Sequence, residues 1–335
     1  MIDKNKITGG LYGLLIGDAL GVPYEFYQAE ELPPYEEIEM IPPAGFQKTY
    51  PKVEPGTWSD DGAQALCLLD SLIQKNGFSL EHFSDQLLAW YEEGKWAVDQ
   101  VVFDVGTQTS RALNAYKNGM SPEICGCLNP EGKGNGALMR VLPLVLWHYG
   151  QPGKDSRKRD QNLVLDAHNQ CKITHGHRCN QVCCALYCLA ARALLDGQKA
   201  HEAIQEGVAV LREIYQDMPE YARELEWSVR PDLGWEGNGG GYVVDCLRSA
   251  FMVLEQASSY EEAVKRAVLL GNDTDTTACV TGGLAGIRFG LSNIPDRWRT
   301  MLRAEPAAPE HGGNVVDQLL SRLYEQYSNP SSMAR

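Results

Sequence analysis

Apolar positions along the chain recur at three- and four-residue spacing far more often than they alternate. Asp61–Lys75 carries this spacing and stops before Asn76-Gly77, a pair that ends helices. Ser79 is placed to cap a helix over Leu80–Glu93. Thr107–Lys117 ends at Asn118-Gly119 in the same way, and Arg178–Leu195 closes on Asp196-Gly197. Helices over Tyr242–Ala257, Tyr260–Leu270, Asp275–Arg288 and Val315–Tyr327 complete the pattern. Alternating stretches are scarce and β-branched runs are short, so the spacing predicts an all-α protein.

Three stretches lack the spacing. Tyr27–Gly56 holds many of the prolines and several acids, and it is long for a structureless connection. It is either a functional loop or an insertion. Gly150–Gln161 is polar and basic and reads as a solvated surface turn; Gly234–Gly241 is glycine-rich. None separates two compositions and no repeat is found, so residues 1–327 are read as one domain and 328–335 as a disordered tail. The longest charge-free apolar stretch, Thr276 to Ile287, is too short and too rich in Gly and Thr to span a membrane. The Leu11–Ile16 run is interrupted at once by Gly17-Asp18, so no signal peptide is expected.

Charge narrows the function classes. The 335 residues include 30 Lys+Arg against 44 Asp+Glu, a net charge of −14. That balance argues against a general nucleic-acid or anionic-membrane binder, which draws on Lys and Arg. It leaves open a small anionic substrate, because metal ions can supply local positive charge. Of the ten cysteines, Cys179, Cys183, Cys184 and Cys188 fall on one predicted helix, where thiols do not pair freely. Cys125-Gly126-Cys127 lacks a second pair at zinc spacing. Reduced, buried thiols of a cytoplasmic protein are expected.

Carboxylates gather at two helix starts, Trp58-Ser59-Asp60-Asp61 and Gly271-Asn272-Asp273-Thr274-Asp275-Thr276. One reading is capping, with acids favoured in the first turn by the helix dipole. The other is ligation: each start sets hydroxyls beside two carboxylates, and together they could enclose two Mg²⁺ or Mn²⁺ ions. Four carboxylates converging without cations would repel strongly. Gly132-Lys133-Gly134-Asn135-Gly136 is either a flexible loop or a place where backbone N–H groups approach a phosphate. It is neither a P-loop nor a dinucleotide fingerprint, since no strand pattern precedes it. Asp18, in the apolar run Leu11–Val22, must find partners if buried, either by capping backbone or by holding a ligand-bearing loop. Thr174-His175-Gly176-His177 is a weak metal pair, and an orienting or substrate-contacting His is the alternative. Asp104 either starts a helix or carries chemistry.

Taken together these motifs resemble the ADP-ribosylglycohydrolase family. The matching pieces are Gly17–Gly21 with Glu25, Trp58–Asp61, Phe103–Gly106, Gly134–Arg140, Thr174-His175, Gly241–Asp245 and Gly271–Thr276, in family order from about Ile7 to Trp298. The resemblance implies an all-α domain with a binuclear metal site in a cleft. Ser59, Asp60, Asp61, Asp273, Asp275 and Thr276 would hold two Mg²⁺ or Mn²⁺ ions. Gly132, Lys133, Gly134, Asn135 and Gly136 would wrap the diphosphate and distal ribose, His175 would sit beside them, and Tyr242 would lie near the adenosine. Glu25 and Asp104 would approach the scissile ribose from opposite sides. The implied activity is hydrolysis at ribose C1″ of an ADP-ribosylated protein, with Asp60 or Asp61 activating water and Asp104 or Glu25 serving the leaving group. Asp104-Val-Gly resembles the arginine-acting branch more than the serine-acting one. O-acetyl-ADP-ribose or another ADP-ribosyl small molecule, a metal-bound but inert relative, and an immunity protein that occludes a cognate ADP-ribosyltransferase through Tyr27–Gly56 are the competing implications. Asn272 departs from the family pattern, where Gly is common.

Overall fold

A computed structural model describes residues 2–151, 155–304 and 314–328. Those residues form fourteen α-helices and no β-strand. In chain order they are α1 (Lys4–Gly21), α2 (Asp60–Lys75), α3 (Leu80–Glu93), α4 (Thr107–Lys117), α5 (Leu142–Tyr149), α6 (Ser156–Lys172) and α7 (Arg178–Leu195). There follow α8 (Ala200–Ile214), α9 (Pro219–Arg223), α10 (Val243–Gln256), α11 (Tyr260–Val268), α12 (Thr274–Phe289), α13 (Asp296–Met301) and α14 (Val315–Ser328).

The eight helices predicted from spacing are all present, with the stop signals acting as expected. Asn76 ends α2 at φ +52, and Gly119 and Gly197 follow their helices at φ +90 and +96. Spacing did not single out α1. Five glycines, poor helix formers, interrupt its apolar run, although from Leu11 to Gly21 every residue of it is buried. Part of the basic stretch expected to be a surface turn is instead the start of α6. Asp155 caps it, accepting from the N–H groups of Arg157 and Lys158. Residues 152–154 of that stretch lie outside the described residues. So does the expected disordered tail, except Ser328, which ends α14.

At the centre α1 and α12 lie against each other. The contact is made by glycines of α1 at four-residue spacing, Gly9, Gly13, Gly17 and Gly21. They face Gly286, Gly282, Ala278 and Asp275 of α12, and at each a Cβ would overlap backbone. With no side chains between them the two backbones approach closely, and Tyr260 Oη donates to the Gly13 carbonyl at 2.8 Å beside the seam. Buried apolar side chains from Ile7 to Leu323 form one continuous cluster around this pair.

The stretch expected to be a loop or insertion, 27–56, is a strap packed on the body. Ile38 and Met40 are buried in the core. Glu39 pairs with Lys265 at 3.1 Å and Arg297 at 2.9 Å, and accepts from Trp298 Nε1. Beyond these anchors the chain returns toward the end of α1 and delivers Thr49 and Tyr50 there.

Candidate metal centre and cleft

The last turn of α1 holds the start of α2. Asp18 is fully buried, and its carboxylate accepts from the N–H of Ser59 (2.9 and 3.1 Å) and of Gly62 (2.8 Å). Both alternatives for Asp18 therefore hold at once: it caps backbone, and that backbone carries the candidate ligands. Thr274 Oγ1 donates to the Gly21 carbonyl at 2.8 Å, so the same end of α1 also fixes the start of α12. The two helix starts meet directly, with Thr276 Oγ1 3.5 Å from Asp61 Oδ2 and Ser59 Oγ 3.4 Å from the same oxygen.

Capping accounts for Ser59, which accepts from Asp61 N–H. It does not account for the acids. Asp273 stands at the N-cap of α12 but makes no capping bond; its Oδ2 accepts from Asn135 Nδ2 at 2.8 Å. One oxygen each of Asp61, Asp273 and Asp275 is buried without any hydrogen-bond partner. Native proteins seldom leave such groups unpaired, because each costs its desolvation. Three on neighbouring carboxylates make a donor set of hard oxygens that suits Mg²⁺ or Mn²⁺. Asp60 accepts from Gln64 Nε2 at 3.0 Å.

Electrostatics agree. Burial raises Asp60, Asp61 and Asp275 well above the usual carboxylate range. The largest charge contributions come from Asp61, Asp18 and Glu25 respectively. Burial pushes Asp18 up to about 7. Burial, then the charge of Asp104, pushes Glu25 up to about 9.

Glu25 and Asp104 do not stand on opposite sides of a sugar-sized gap. Their carboxyl oxygens and one of Asp275 lie within 4.8 Å of one another. The cause is Tyr50, whose hydroxyl sits 2.7 Å from Glu25 Oε2 and 2.8 Å from Asp104 Oδ1. Asp104 does not start α4 but precedes it at φ +53. A phenol has one hydrogen, so its oxygen can donate to only one of the two carboxyls. Both contacts are good hydrogen bonds only when the other carboxyl carries a proton. Nothing in the sequence marked Tyr50.

The two glycine-rich stretches meet each other. Gly134 and Tyr242 form an isolated antiparallel bridge, Val243 N–H donates to the Lys133 carbonyl, and Asn135 N–H donates to the Gly241 carbonyl at 3.0 Å. His175 lies beneath, so close that a Cβ on Gly136 would come 2.8 Å from its Cε1. Burial, then Arg140, lowers His175 to about 3, a neutral ring. His177 is no partner to it in a metal pair: it caps α7, its Nδ1 accepting from Cys179 N–H. Tyr242 is 44% exposed at the rim of a depression lined by Gln108, Pro130, Glu131, Lys133 and Gly134.

Behind the acids lies Arg140, completely buried. It donates to Gln64 (2.7 Å), to the side chain and carbonyl of Gln170 (3.0 and 3.1 Å), and to Thr174 Oγ1 (2.8 Å). Thr174 Oγ1 in turn meets His175 Nδ1 at 2.8 Å. One chain of bonds thus runs from Asp60 through Gln64, Arg140 and Thr174 to His175. A lone Arg beside the apolar run after Gly136 was its sequence signal.

The ADP-ribosylglycohydrolase family model matches residues 2–332. An ADP-ribosylarginine hydrolase of Serratia proteamaculans is 30% identical over 96% of this chain and 81% of its own length. The ADP-ribosyl-[dinitrogen reductase] glycohydrolase of Rhodospirillum rubrum is 25% identical over 89% of this chain and 90% of its own. A solved structure described as an ADP-ribosylglycohydrolase-related protein complex superposes with a TM-score of 0.71 at 29% identity, covering 98% of both chains.

Proposed function

The chain belongs to the ADP-ribosylglycohydrolase family, and from that premise we propose that it removes mono-ADP-ribose from protein side chains, arginine above all, by hydrolysis at ribose C1″. The observation that carries the reading is the set of unpartnered carboxylate oxygens on Asp61, Asp273 and Asp275 where the starts of α2 and α12 meet. The choice of arginine draws on the relatives named ADP-ribosylarginine hydrolase. Ser59, Asp60, Asp61, Asp273, Asp275 and Thr276 would hold two Mg²⁺ or Mn²⁺ ions, which when bound supply Lewis acidity toward ribose hydroxyls and water.

The chain's own residues do the rest. Asp60 or Asp61 orients the attacking water and takes its proton. Positive charge develops on the ribose as the C1″ bond breaks, in a site walled by carboxylates. Glu25 and Asp104, bridged by Tyr50, retain a proton for the leaving group. In the glycine loop the N–H groups of Gly132, Gly134 and Asn135 are bonded within the protein. A phosphate would therefore be met by Lys133 and Gly136 rather than by the whole loop, with neutral His175 beneath. Tyr242 offers its ring to the adenosine. No described helix is long and apolar enough to cross a membrane, and ten free cysteines, eight of them buried, support a reducing, cytoplasmic location.

The test is release of ADP-ribose from an ADP-ribosylarginine peptide and an ADP-ribosylserine peptide, each with Mg²⁺, Mn²⁺ or EDTA. Metal-dependent release from arginine is expected. Release from serine alone would overturn the linkage, and release in EDTA would overturn the metal chemistry.

A further inference from the structure

Asn272 has φ +61, a left-handed backbone that favours Gly and that Asn is among the few other residues to tolerate. Here the side chain is also used. Asn272 Oδ1 accepts from Gln28 Nε2 at 3.2 Å, and its Nδ2 donates to the Asn238 carbonyl at 2.9 Å. Its backbone is engaged as well: Phe26 N–H donates to the Asn272 carbonyl at 2.6 Å, and Asn272 N–H donates to the Tyr27 carbonyl at 2.7 Å. Phe26 is itself left-handed at φ +68, unusual for a bulky residue, and its side chain is 65% exposed. The two strained residues hold each other.

The neighbours give this contact its meaning. Phe26 follows Glu25, and Asn272 precedes Asp273. Asn238 lies on the glycine-rich strap whose next residue, Gly239, accepts from Asp273 N–H at 2.9 Å. That strap is anchored by Asp245, which accepts from Asn238 and Gly240 N–H, and its Gly241 carbonyl accepts from Asn135. Asn272 is therefore where three pieces of backbone join: the loop bearing Glu25, the start of α12 bearing Asp273, and the strap that backs the glycine loop.

We propose that Asn272 is a positioning residue that clips the Glu25 loop to the Asp273 loop and the 238–241 strap, fixing the leaving-group carboxyl relative to the metal ligands. The proposal rests on the roles given above to Glu25 and Asp273. Glycine supplies the backbone angle without the clip, so Asn272→Gly separates the two functions of the residue, and Asn272→Ala imposes the strain as well.

The experiment compares Asn272→Gly, Asn272→Ala, Gln28→Ala and Asn272→Gly/Gln28→Ala. Readouts are kcat and KM on the ADP-ribosylarginine peptide, calorimetric Mn²⁺ binding, and melting temperature. Asn272→Gly should melt above Asn272→Ala, yet lose roughly tenfold in kcat with KM within about twofold, a misplacement effect. It should also weaken Mn²⁺ binding about threefold by loosening Asp273. Gln28→Ala should lose part of kcat, and the double variant should fall no further than Asn272→Gly, because the bond is already gone. Wild-type kcat and Mn²⁺ affinity in Asn272→Gly, or additive losses in the double variant, would overturn the clip. If the wild-type chain releases nothing from the arginine peptide, the proposed activity fails instead; Mn²⁺ affinity and melting of the same variants still decide the clip.

Discussion

The seam between α1 and α12 is where a single methyl group should do the most damage. Gly17 lies one residue before Asp18, which holds the start of α2, and one turn before Gly21, which touches the start of α12. A Cβ at Gly17 would stand 2.7 Å from the Ala278 carbonyl carbon, and nearer still to its oxygen. Two effects compete in Gly17→Ala. Alanine in a helix interior gains about 1 kcal/mol over glycine. Overpacking typically costs about 1–3 kcal/mol, and the upper end applies here because the obstacle is backbone and cannot turn aside. The clash wins by roughly 2 kcal/mol, which for a chain of this length lowers the melting temperature by about 3 °C. Gly10→Ala is the control. Its Cβ would meet Ile287 Cγ1 at 2.8 Å, a side chain rather than backbone, so the net cost should be smaller than at Gly17.

Activity should fall further than stability does. Spreading α1 from α12 moves Asp275 and Thr276 relative to Asp61, and a shift near 1 Å can cost about a hundredfold in rate. Melting curves with Mn²⁺ and with EDTA, beside initial rates of ADP-ribose release, check this. The stabilisation that Mn²⁺ confers should shrink in Gly17→Ala and stay intact in Gly10→Ala. A Gly17→Ala protein that melts at or above wild type with full Mn²⁺ stabilisation would refute the argument that this seam sets the site.

Asp275→Asn should abolish the Mn²⁺-induced rise in melting temperature, yet raise the melting temperature in EDTA, because it removes a charge that the metal-free site cannot stabilise. The pH dependence has the same origin. Carboxyls whose folded pKa is raised contribute most stability below their unfolded values near 4, and lose it as pH climbs through the folded ones, about 7 for Asp18 and about 9 for Glu25. Wild-type melting in EDTA should therefore fall from pH 5 to pH 9, and with Mn²⁺ it should fall less; a rise in EDTA would contradict the buried acids. Tyr50→Phe removes the bridge between Glu25 and Asp104 and should lower kcat at least about tenfold, as expected for a disturbed acid or base, with Mn²⁺ affinity nearly unchanged. Wild-type kcat in that variant would exclude a role for the bridge.

Periodicity and stop signals located eight helices, among them α2, α7 and α12, which are buried almost throughout yet keep helical spacing or marked ends. They missed α1 because five glycines, poor helix formers, interrupt its apolar run. The carboxylates were legible because acids beside hydroxyls at two helix starts are conspicuous; their convergence depends on helix packing, and the four-residue glycine spacing of α1 was its only trace. Tyr50 was illegible, since a strap anchored far away at Glu39 carries it into the site. The same fact decides for the functional loop over the insertion as the reading of 27–56. Deleting it would remove Tyr50 along with any partner surface, so loss of binding and loss of hydrolysis could not be told apart.

The position of the proton follows from how charge is distributed around the site. Asp18, Glu25, Asp60, Asp61, Asp104, Asp273 and Asp275 crowd together, and Asp61 and Asp104 raise both Asp60 and Asp275. The negative charge of Asp18 is met by the N–H groups and dipole at the start of α2. Arg140 is the buried cation nearest the rest, and Gln64 and Gln170 take its hydrogen bonds where a carboxylate would ordinarily be found. That arrangement leaves its charge free to act on the cluster one residue away, at Asp60. One guanidinium and the two divalent ions proposed above would still leave the cluster negative. A proton kept on Glu25, which burial and then the charge of Asp104 push up to about 9, reduces that deficit, and Tyr50 is placed to share it with Asp104. In the proposed mechanism the acid for the leaving group and the cations for the ribose are thus two answers to one excess of charge, so altering the proposed metal ligands should shift the pH profile of the Glu25–Asp104 pair even though neither residue is replaced.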